Sequence, residues 1–282
     1  MKRYFHSLAA TMILILPLAS CDKDNNGDDP TPNPNPNPTP TPTSTAQLSS
    51  LEITEKESGY SDYFAKYIFQ YDESNKIKSI SESGNDELTD FSWNPFSMTV
   101  DGHKINVTLS SAGYLTRAQA WSGTESTTFE YDNKGYIVRE ICEDIDFYEE
   151  TIYTWKDNLL VEILRTWKED IYTGKELATI SYSNDQNKTG IWPASFWECE
   201  LLYFEPSDYE CTCILQTGLL GVAPTLLPAS ITIERKVSNN TSIKKYNIST
   251  KLDSEGRLSS ETIESVAGYE SMSTYNLKYT YR

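Results

Sequence analysis

The chain has 282 residues, of which 38% are hydrophobic and 12% aromatic, and its formal net charge at pH 7 is −17. This charge argues against binding to nucleic acid, because a polyanion would be repelled by an acidic protein. An anionic membrane surface would repel the chain too, so any attachment to a membrane requires an anchor of another kind.

Residues 1–20 have the three parts of a secretory signal peptide. Lys2 and Arg3 supply the positive start, and an apolar run from Leu8 to Leu16 follows. This run is too short to cross a bilayer, which takes about 20 apolar residues. We therefore expect residues 1–20 to be removed on export.

Cys21 directly follows Leu18-Ala19-Ser20. This arrangement resembles the bacterial lipoprotein signal, in which the cysteine becomes lipidated and the chain is cut before it. The alternative is an ordinary signal peptide followed by a chance cysteine. We favour lipidation of Cys21, because an ordinary signal peptide requires no cysteine after its cleavage site. Two or more acyl chains anchor a protein durably where a single chain does not.

Residues 21–47 are predicted to form a flexible tether. The segment from Asp22 to Asp29 holds four acids and one lysine, and it resembles the acidic signal that exports lipoproteins to the outer face of some Gram-negative outer membranes. From Pro30 to Pro42 every second residue is proline, which favours an extended polyproline II spacer roughly 40 Å long. We expect an outer-membrane protein that faces the cell surface, with a periplasm-facing orientation as the alternative.

Residues 48–282 are expected to form a single domain, because no second linker divides them. A short pattern recurs four times, in which Asp or Ser ends one strand and Gly or Asn comes three residues later. Such a pattern predicts a hairpin with a type I turn closed by a left-handed residue. The four copies are Tyr71-Asp72-Glu73-Ser74-Asn75-Lys76-Ile77, Leu109-Ser110-Ser111-Ala112-Gly113-Tyr114-Leu115, Tyr131-Asp132-Asn133-Lys134-Gly135-Tyr136-Ile137 and Leu252-Asp253-Ser254-Glu255-Gly256-Arg257-Leu258.

Alternating aromatic residues flank these turns, as at Tyr67, Phe69 and Tyr71, which is typical of strands with one buried face. The sequence therefore predicts an all-β fold: an antiparallel meander of about 10–14 strands, curled or closed into a soluble barrel-like sheet, with few short helices. A barrel embedded in lipid is disfavoured because charges such as Lys76 and Lys78 are scattered over the strands.

The hairpins are similar to the tyrosine-aspartate repeats of secreted bacterial shell proteins. More broadly, residues 48–282 resemble an uncharacterised lipoprotein domain family of anaerobic Gram-negative bacteria with a porin-like fold. The residues that carry this resemblance are Tyr153-Thr154-Trp155-Lys156-Asp157-Asn158, Tyr182-Ser183-Asn184-Asp185 and Gly218-Leu219-Leu220-Gly221 before Leu227-Pro228. The resemblance implies a barrel but no activity, so it assigns no functional residue.

Candidate catalytic and metal-binding residues are few. After removal of His6 with the signal peptide, His103 is the one remaining histidine, and it follows the turn residues Asp101-Gly102. Acids crowd the segment Glu143–Glu150, which is typical of a solvated loop, with calcium binding and glycoside hydrolysis as the alternatives. We expect the solvated loop, no enzymatic activity, no metal and no cofactor.

The cysteines that follow Cys21 are Cys142, Cys199, Cys211 and Cys213. Outside the cytosol an even number of cysteines predicts up to two disulfides, whose pairing the sequence leaves open. Cys211 and Cys213 alternate along one strand face and are not expected to bond to each other. Buried free thiols are the alternative.

Trp192, Phe196 and Trp197 are the candidate ligand-binding residues, because exposed aromatic rings stack on sugars. The alternative is that these rings fill the core, and the apolar loop from Gly218 to Pro228 has the same two interpretations. We expect a non-enzymatic binding domain with a glycan or envelope-protein partner, held at the membrane by its lipid anchor. A structural or envelope-assembly role is the alternative, and a hydrolase is a third.

Overall fold

Sixteen antiparallel strands close into a barrel in the computed structural model of this chain. The structure describes residues 46–57, 59–84, 88–119, 123–169, 172–202, 213–238, 240–267 and 273–282. The predicted signal peptide, Cys21 and residues 21–45 of the tether lie outside the described residues. The strands are β1 (Leu48–Glu57), β2 (Tyr63–Tyr71), β3 (Ile77–Glu82), β4 (Leu88–Trp93), β5 (Phe96–Val100), β6 (His103–Leu109), β7 (Leu115–Gln119), β8 (Ser126–Tyr131), β9 (Ile137–Glu143), β10 (Phe147–Lys156), β11 (Leu159–Glu169), β12 (Tyr172–Gln186), β13 (Leu226–Val237), β14 (Asn240–Leu252), β15 (Leu258–Ala267) and β16 (Ser273–Tyr281).

Each strand pairs with the strands before and after it in the chain, and β1 pairs with β16 to close the barrel. In that closing pair Leu51 lies opposite Tyr279 and Ile53 opposite Leu277. The predicted fold class, an all-β meander closed into a barrel, is confirmed. The strand number exceeds the expected range because it includes short strands such as β4 and β5, of six and five residues.

The barrel wall is apolar inside and polar outside. On β16, Tyr275, Leu277 and Tyr279 are buried, whereas Asn276 and Lys278 between them are exposed. This alternation follows from the two-residue period of a strand. Burial of each large apolar side chain contributes about 1.5–3 kcal/mol, so the inner face supplies the main stabilisation of the barrel.

The four predicted hairpins adopt the same turn geometry. In the third copy, Asp132 Oδ1 accepts hydrogen bonds from the backbone N–H groups of Lys134 at 2.8 Å and Tyr136 at 3.0 Å. Gly135, which closes that turn, has a φ of 85°. A register shift lies beside each turn, at the end of the preceding strand, as between Glu130 and Tyr131. Local side-chain chemistry therefore sets the turn and the strand register together.

Alternation of strand direction gives the barrel two distinct ends. The four hairpins follow β2, β6, β8 and β14, so they share one end, called here the turn end, with Leu48 and Tyr281. The opposite end, called here the distal end, holds the connections that follow odd-numbered strands.

An insertion of residues 187–225 joins β12 to β13 at the turn end. Its described part contains the helix α1 (Ser195–Glu198) and a 3-10 helix at Ile214–Thr217. Within the described part of the chain, no helix has the length and apolar character needed to cross a membrane.

Candidate functional site

The candidate ligand-binding aromatic residues lie on the insertion, which enters the barrel interior. Trp192 and Phe196 have no exposed surface, and their rings meet edge to face at 5.2 Å. Trp192 also contacts Trp155 of β10 edge to face at 6.0 Å, and its indole N–H donates to the carbonyl of Gly221 at 3.3 Å. These two rings therefore fill the core, which is the alternative to ligand binding given in the sequence analysis.

Trp197 is half-buried and packs edge to face on Tyr67 of β2, with 6.4 Å between ring centroids. The three aromatic residues therefore do not form an exposed platform, because the insertion turns into the barrel instead of lying on its surface. The apolar loop is buried in the same way, at Leu219, Leu220 and Leu227. Stacking of a sugar on these rings thus has no support in the geometry.

A buried polar cluster holds the insertion to the barrel wall. Ser195 donates through Oγ to Glu261 Oε1 of β15 at 2.8 Å, and its backbone N–H donates to Oε2 at 3.3 Å. Tyr279 of β16 donates its hydroxyl to the same carboxylate and accepts the backbone N–H of Ala194 at 2.8 Å. Removal from water raises the pKa of Glu261. These contacts satisfy the carboxylate internally and indicate a structural role.

A second polar cluster lies nearer the distal end. Arg165 reaches Glu149 at 3.4 Å and Glu176 at 3.2 Å, and it donates to the carbonyl of Glu200 at 3.1 Å. The guanidinium thus ties two inward acids of the wall to the insertion. Because both acids are held in ion pairs, this cluster is typical of structure rather than of acid–base catalysis.

The acids of the segment Glu143–Glu150 do not all lie on one face, because successive side chains of a strand point to opposite faces. Glu149 points inward to Arg165, whereas Glu150 pairs with Arg139 at 2.7 Å on the outer wall. Among the described residues, no group of three or more His, Cys, Asp or Glu side chains is placed to hold a metal ion. His103 begins β6 after the Asp101-Gly102 turn, as its position in the sequence indicates.

The cysteines are dispersed over the fold. Cys142 on β9 and Cys199 after α1 are free thiols. Removal from water raises the pKa of Cys142 to about 12 and also raises the pKa of Cys199, so neither is a ready nucleophile. Cys213 is buried, and Cys211 lies outside the described residues. Disulfide formation by Cys211 therefore stays a prediction.

The outer wall carries ion pairs across neighbouring strands. Glu52 of β1 accepts a hydrogen bond from Lys66 of β2 at 2.8 Å and lies 3.5 Å from Lys278 of β16. On the other side of the barrel, Arg139 contacts Glu130 at 3.0 Å and Glu150 at 2.7 Å. Charged side chains thus occupy the middle of the outer wall.

Exposed apolar side chains concentrate at the distal end. Of the nine large hydrophobic side chains that are exposed in the described part of the chain, eight lie there and only Leu252 lies at the turn end. The eight, called here the distal rim, are Tyr60, Tyr63, Phe64, Leu88, Ile145, Tyr148, Ile243 and Val266. Tyr60 and Phe64 are the most exposed aromatic residues of the distal rim, at 71% and 58%.

Six of these residues form an arc over the neighbouring strands from β14 through β16 and β1 to β4. Sequence reasoning missed this surface. The signal in the sequence is the adjacent pair Tyr63-Phe64. Successive side chains of a strand point to opposite faces, so one of these two rings must lie on the outer face of the barrel.

The closed meander belongs to the class of antiparallel β-barrels, and comparison with solved structures finds similar chains. A porin-like protein from Bacteroides uniformis is 17% identical, with a TM-score of 0.61 over 87% of this chain and 100% of that chain. A porin-like protein from Bacteroides vulgatus is 14% identical, with a TM-score of 0.47 over 83% of this chain and 98% of that chain. No protein-family model and no curated protein matches the sequence. The first of these similarities shows a common barrel fold.

Proposed function

We propose that this chain is an outer-membrane lipoprotein, anchored through Cys21, whose filled barrel binds a protein partner at its distal rim without catalysing a reaction. The observation that carries the proposal is the concentration of exposed apolar side chains at one end of the barrel. Contiguous exposed apolar surface rimmed by polar residues marks interaction sites.

The composition of the distal rim favours a protein over a glycan. Tyrosine and phenylalanine suit either ligand, but Leu88, Ile243 and Val266 are branched aliphatic side chains that offer no flat face to a sugar. Aromatic residues with aliphatic neighbours are typical of the centres of protein interfaces.

The filled interior and charged outer wall favour a barrel that works in water. A charge on the lipid-facing wall of a membrane barrel costs about 2–4 kcal/mol at the midplane, and Lys66 and Arg139 lie on this wall. Trp192 and Phe196 occupy the space that a channel would need. We infer that the membrane is reached through lipid on Cys21, and the porin-like structural relatives support an envelope location.

The position of β1 determines which end of the barrel the tether joins. Leu48 lies at the turn end, so a tether ending at residue 47 joins the barrel there. The distal rim then lies one strand length further from the attachment point, about 30 Å for a strand of this size.

The anchor is tested by substituting Cys21→Ser. We expect the variant to leave the membrane fraction, and protease treatment of intact cells to digest the wild-type barrel. Retention of the variant in the membrane would refute the lipid anchor. Protection of the barrel from protease would place it on the periplasmic side.

The binding surface is tested with Tyr60→Ser and Phe64→Ser. Each should weaken capture of the partner by tenfold or more, as expected for aromatic residues at the centre of an interface. Leu252→Ser is the matched control, because Leu252 is an exposed apolar residue at the opposite end. Lipid recovered with the purified barrel, and lost in the rim variants, would instead support the envelope-assembly role.

A further inference from the structure

A cavity of about 230 Å³ lies in the barrel wall at β5, β6 and β7. Its polar lining residues are Ser97, Lys104, Asn106, Thr108, Arg117 and Gln119. The lining contains two cations and no carboxylate, in a chain where acids outnumber Lys and Arg by 41 to 24. A local excess of positive charge in an acidic protein needs its own explanation.

The strand register assembles these side chains on the outer face. Asn106 of β6 lies opposite Gln119 of β7, and Thr108 lies opposite Arg117. Lys104 lies two residues from Asn106 on the same strand and therefore on the same face. Hydroxyl and amide groups thus lie between the two cations.

Arg117 differs from the other arginines of the described chain. Arg139, Arg165 and Arg257 are paired with carboxylates, Arg235 lies over Trp167, and Arg282 lies over Tyr71. The Arg117 side chain makes no hydrogen bond, ion pair or ring contact with a described residue, and the same holds for Lys104.

Two outward carboxylates on nearby strands do not pair with these cations. Asp90 of β4 lies opposite Thr99, which in turn lies opposite Lys104, so this acid is two strands away. Glu130 of β8 is already bound to Arg139 at 3.0 Å. The fold thus presents two cations beside neutral hydrogen-bonding groups without neutralising them.

We propose that this cavity, called here the wall groove, binds a small anionic sugar. A guanidinium recognises a planar carboxylate or a sulfate through paired hydrogen bonds, and the Lys104 ammonium adds a point charge. Asn106 offers a donor and an acceptor, and Gln119, whose Nε2 donates to the carbonyl of Gly123 at 3.1 Å, offers its side-chain carbonyl as an acceptor. Such groups suit the vicinal hydroxyls of a sugar ring. The cavity is smaller than those that hold drug-sized ligands, which favours a single ring. This site goes beyond the proposed rim function and does not depend on it.

The test is isothermal titration of the purified barrel at low ionic strength with galacturonate, galactose 6-sulfate, galactose and inorganic sulfate. We expect saturable binding of one or both acidic sugars, and the two distinguish a carboxylate from a sulfate ligand. Loss of one charge-assisted contact in Arg117→Gln or Lys104→Gln should weaken it about tenfold. Lys245→Gln, at an exposed lysine of β14, should leave it unchanged.

Three results would overturn the proposal. In the first, the folded protein binds neither acidic sugar. In the second, Arg117→Gln binds the acidic sugar as tightly as the wild type does. In the third, the wild type binds galactose or inorganic sulfate as tightly as the acidic sugar. Circular dichroism of each variant confirms that the barrel is intact.

Discussion

Ser195 on the insertion donates its hydroxyl to Glu261 on β15, with 2.8 Å between the oxygen atoms, inside the barrel. The contact joins the segment that fills the lumen to the wall that encloses it. Because the backbone N–H of Ala194 also donates to the Tyr279 hydroxyl on β16, the insertion is bound to two neighbouring strands at once. The insertion is thus an integral part of the folded barrel.

Replacing Glu261 by alanine should destabilise the protein by about 3 kcal/mol, because Ser195 and Tyr279 would keep buried donors without an acceptor. Guanidinium unfolding followed by tryptophan fluorescence measures the change. Glu264→Ala, at an exposed position of the same strand, is the control and should change stability by less than about 0.5 kcal/mol. Equal losses in the two variants would contradict the role of this contact.

Glu140 on β9 should make stability depend on pH. Removal from water raises the pKa of Glu140 from 4.5 to about 7, while Tyr153 donates a hydrogen bond to it at 2.5 Å. The folded state therefore binds this proton more tightly than the unfolded state. The resulting stabilisation is complete below pH 4.5 and is lost as the pH rises through 7.

The free energy of unfolding should fall between these pH values by up to about 3 kcal/mol more in the wild type than in Glu140→Gln. Denaturant titrations at several pH values measure the difference. The same pH dependence in both proteins would exclude Glu140 as the source.

Two turn glycines allow a matched test of packing at the turn end. Gly113 and Gly135 both have a φ of 85°, so alanine is strained at either position. A Cβ on Gly135 would lie 2.7 Å from the Tyr114 ring, whereas one on Gly113 would meet no atom within 4 Å. Gly135→Ala should therefore lower the melting temperature more than Gly113→Ala. Equal effects would show that backbone strain alone determines the cost.

Gly174 on β12 lies under the ring of Trp167 on the neighbouring strand. A Cβ at this position would lie 2.0 Å from the ring, which itself packs 4.9 Å from the Arg235 guanidinium. Gly174→Ala should displace the ring and cost about 1–3 kcal/mol. In a Trp167→Ala background the same substitution should cost much less, and a full cost there would contradict the contact. Denaturant unfolding of the four proteins measures this coupling.

Local chemistry explains which parts of the fold were predictable from sequence. Asp132 and Gly135 determine a turn through bonds within five residues, so the hairpin could be predicted. Closure of the barrel depends on Leu51 meeting Tyr279, which are far apart in sequence. The burial of Trp192 depends on the path of the insertion, which no local periodicity records.

The candidate site was less predictable than the fold for the same reason. The distal rim becomes a surface only when strands distant in sequence, such as those carrying Phe64 and Ile243, lie around one end. The wall groove likewise needs the register that places Asn106 opposite Gln119. Neither the composition of the chain nor the spacing of its residues indicates these two juxtapositions.

Photo-crosslinking in intact cells tests the proposed binding surface most directly. A crosslinking residue placed at Phe64 samples the distal rim, and one placed at Leu252 samples the turn end. The proposal predicts one discrete covalent protein adduct from position 64 and none from position 252. Adducts from position 252 alone, or no adduct from position 64 in a correctly localised and folded protein, would contradict it.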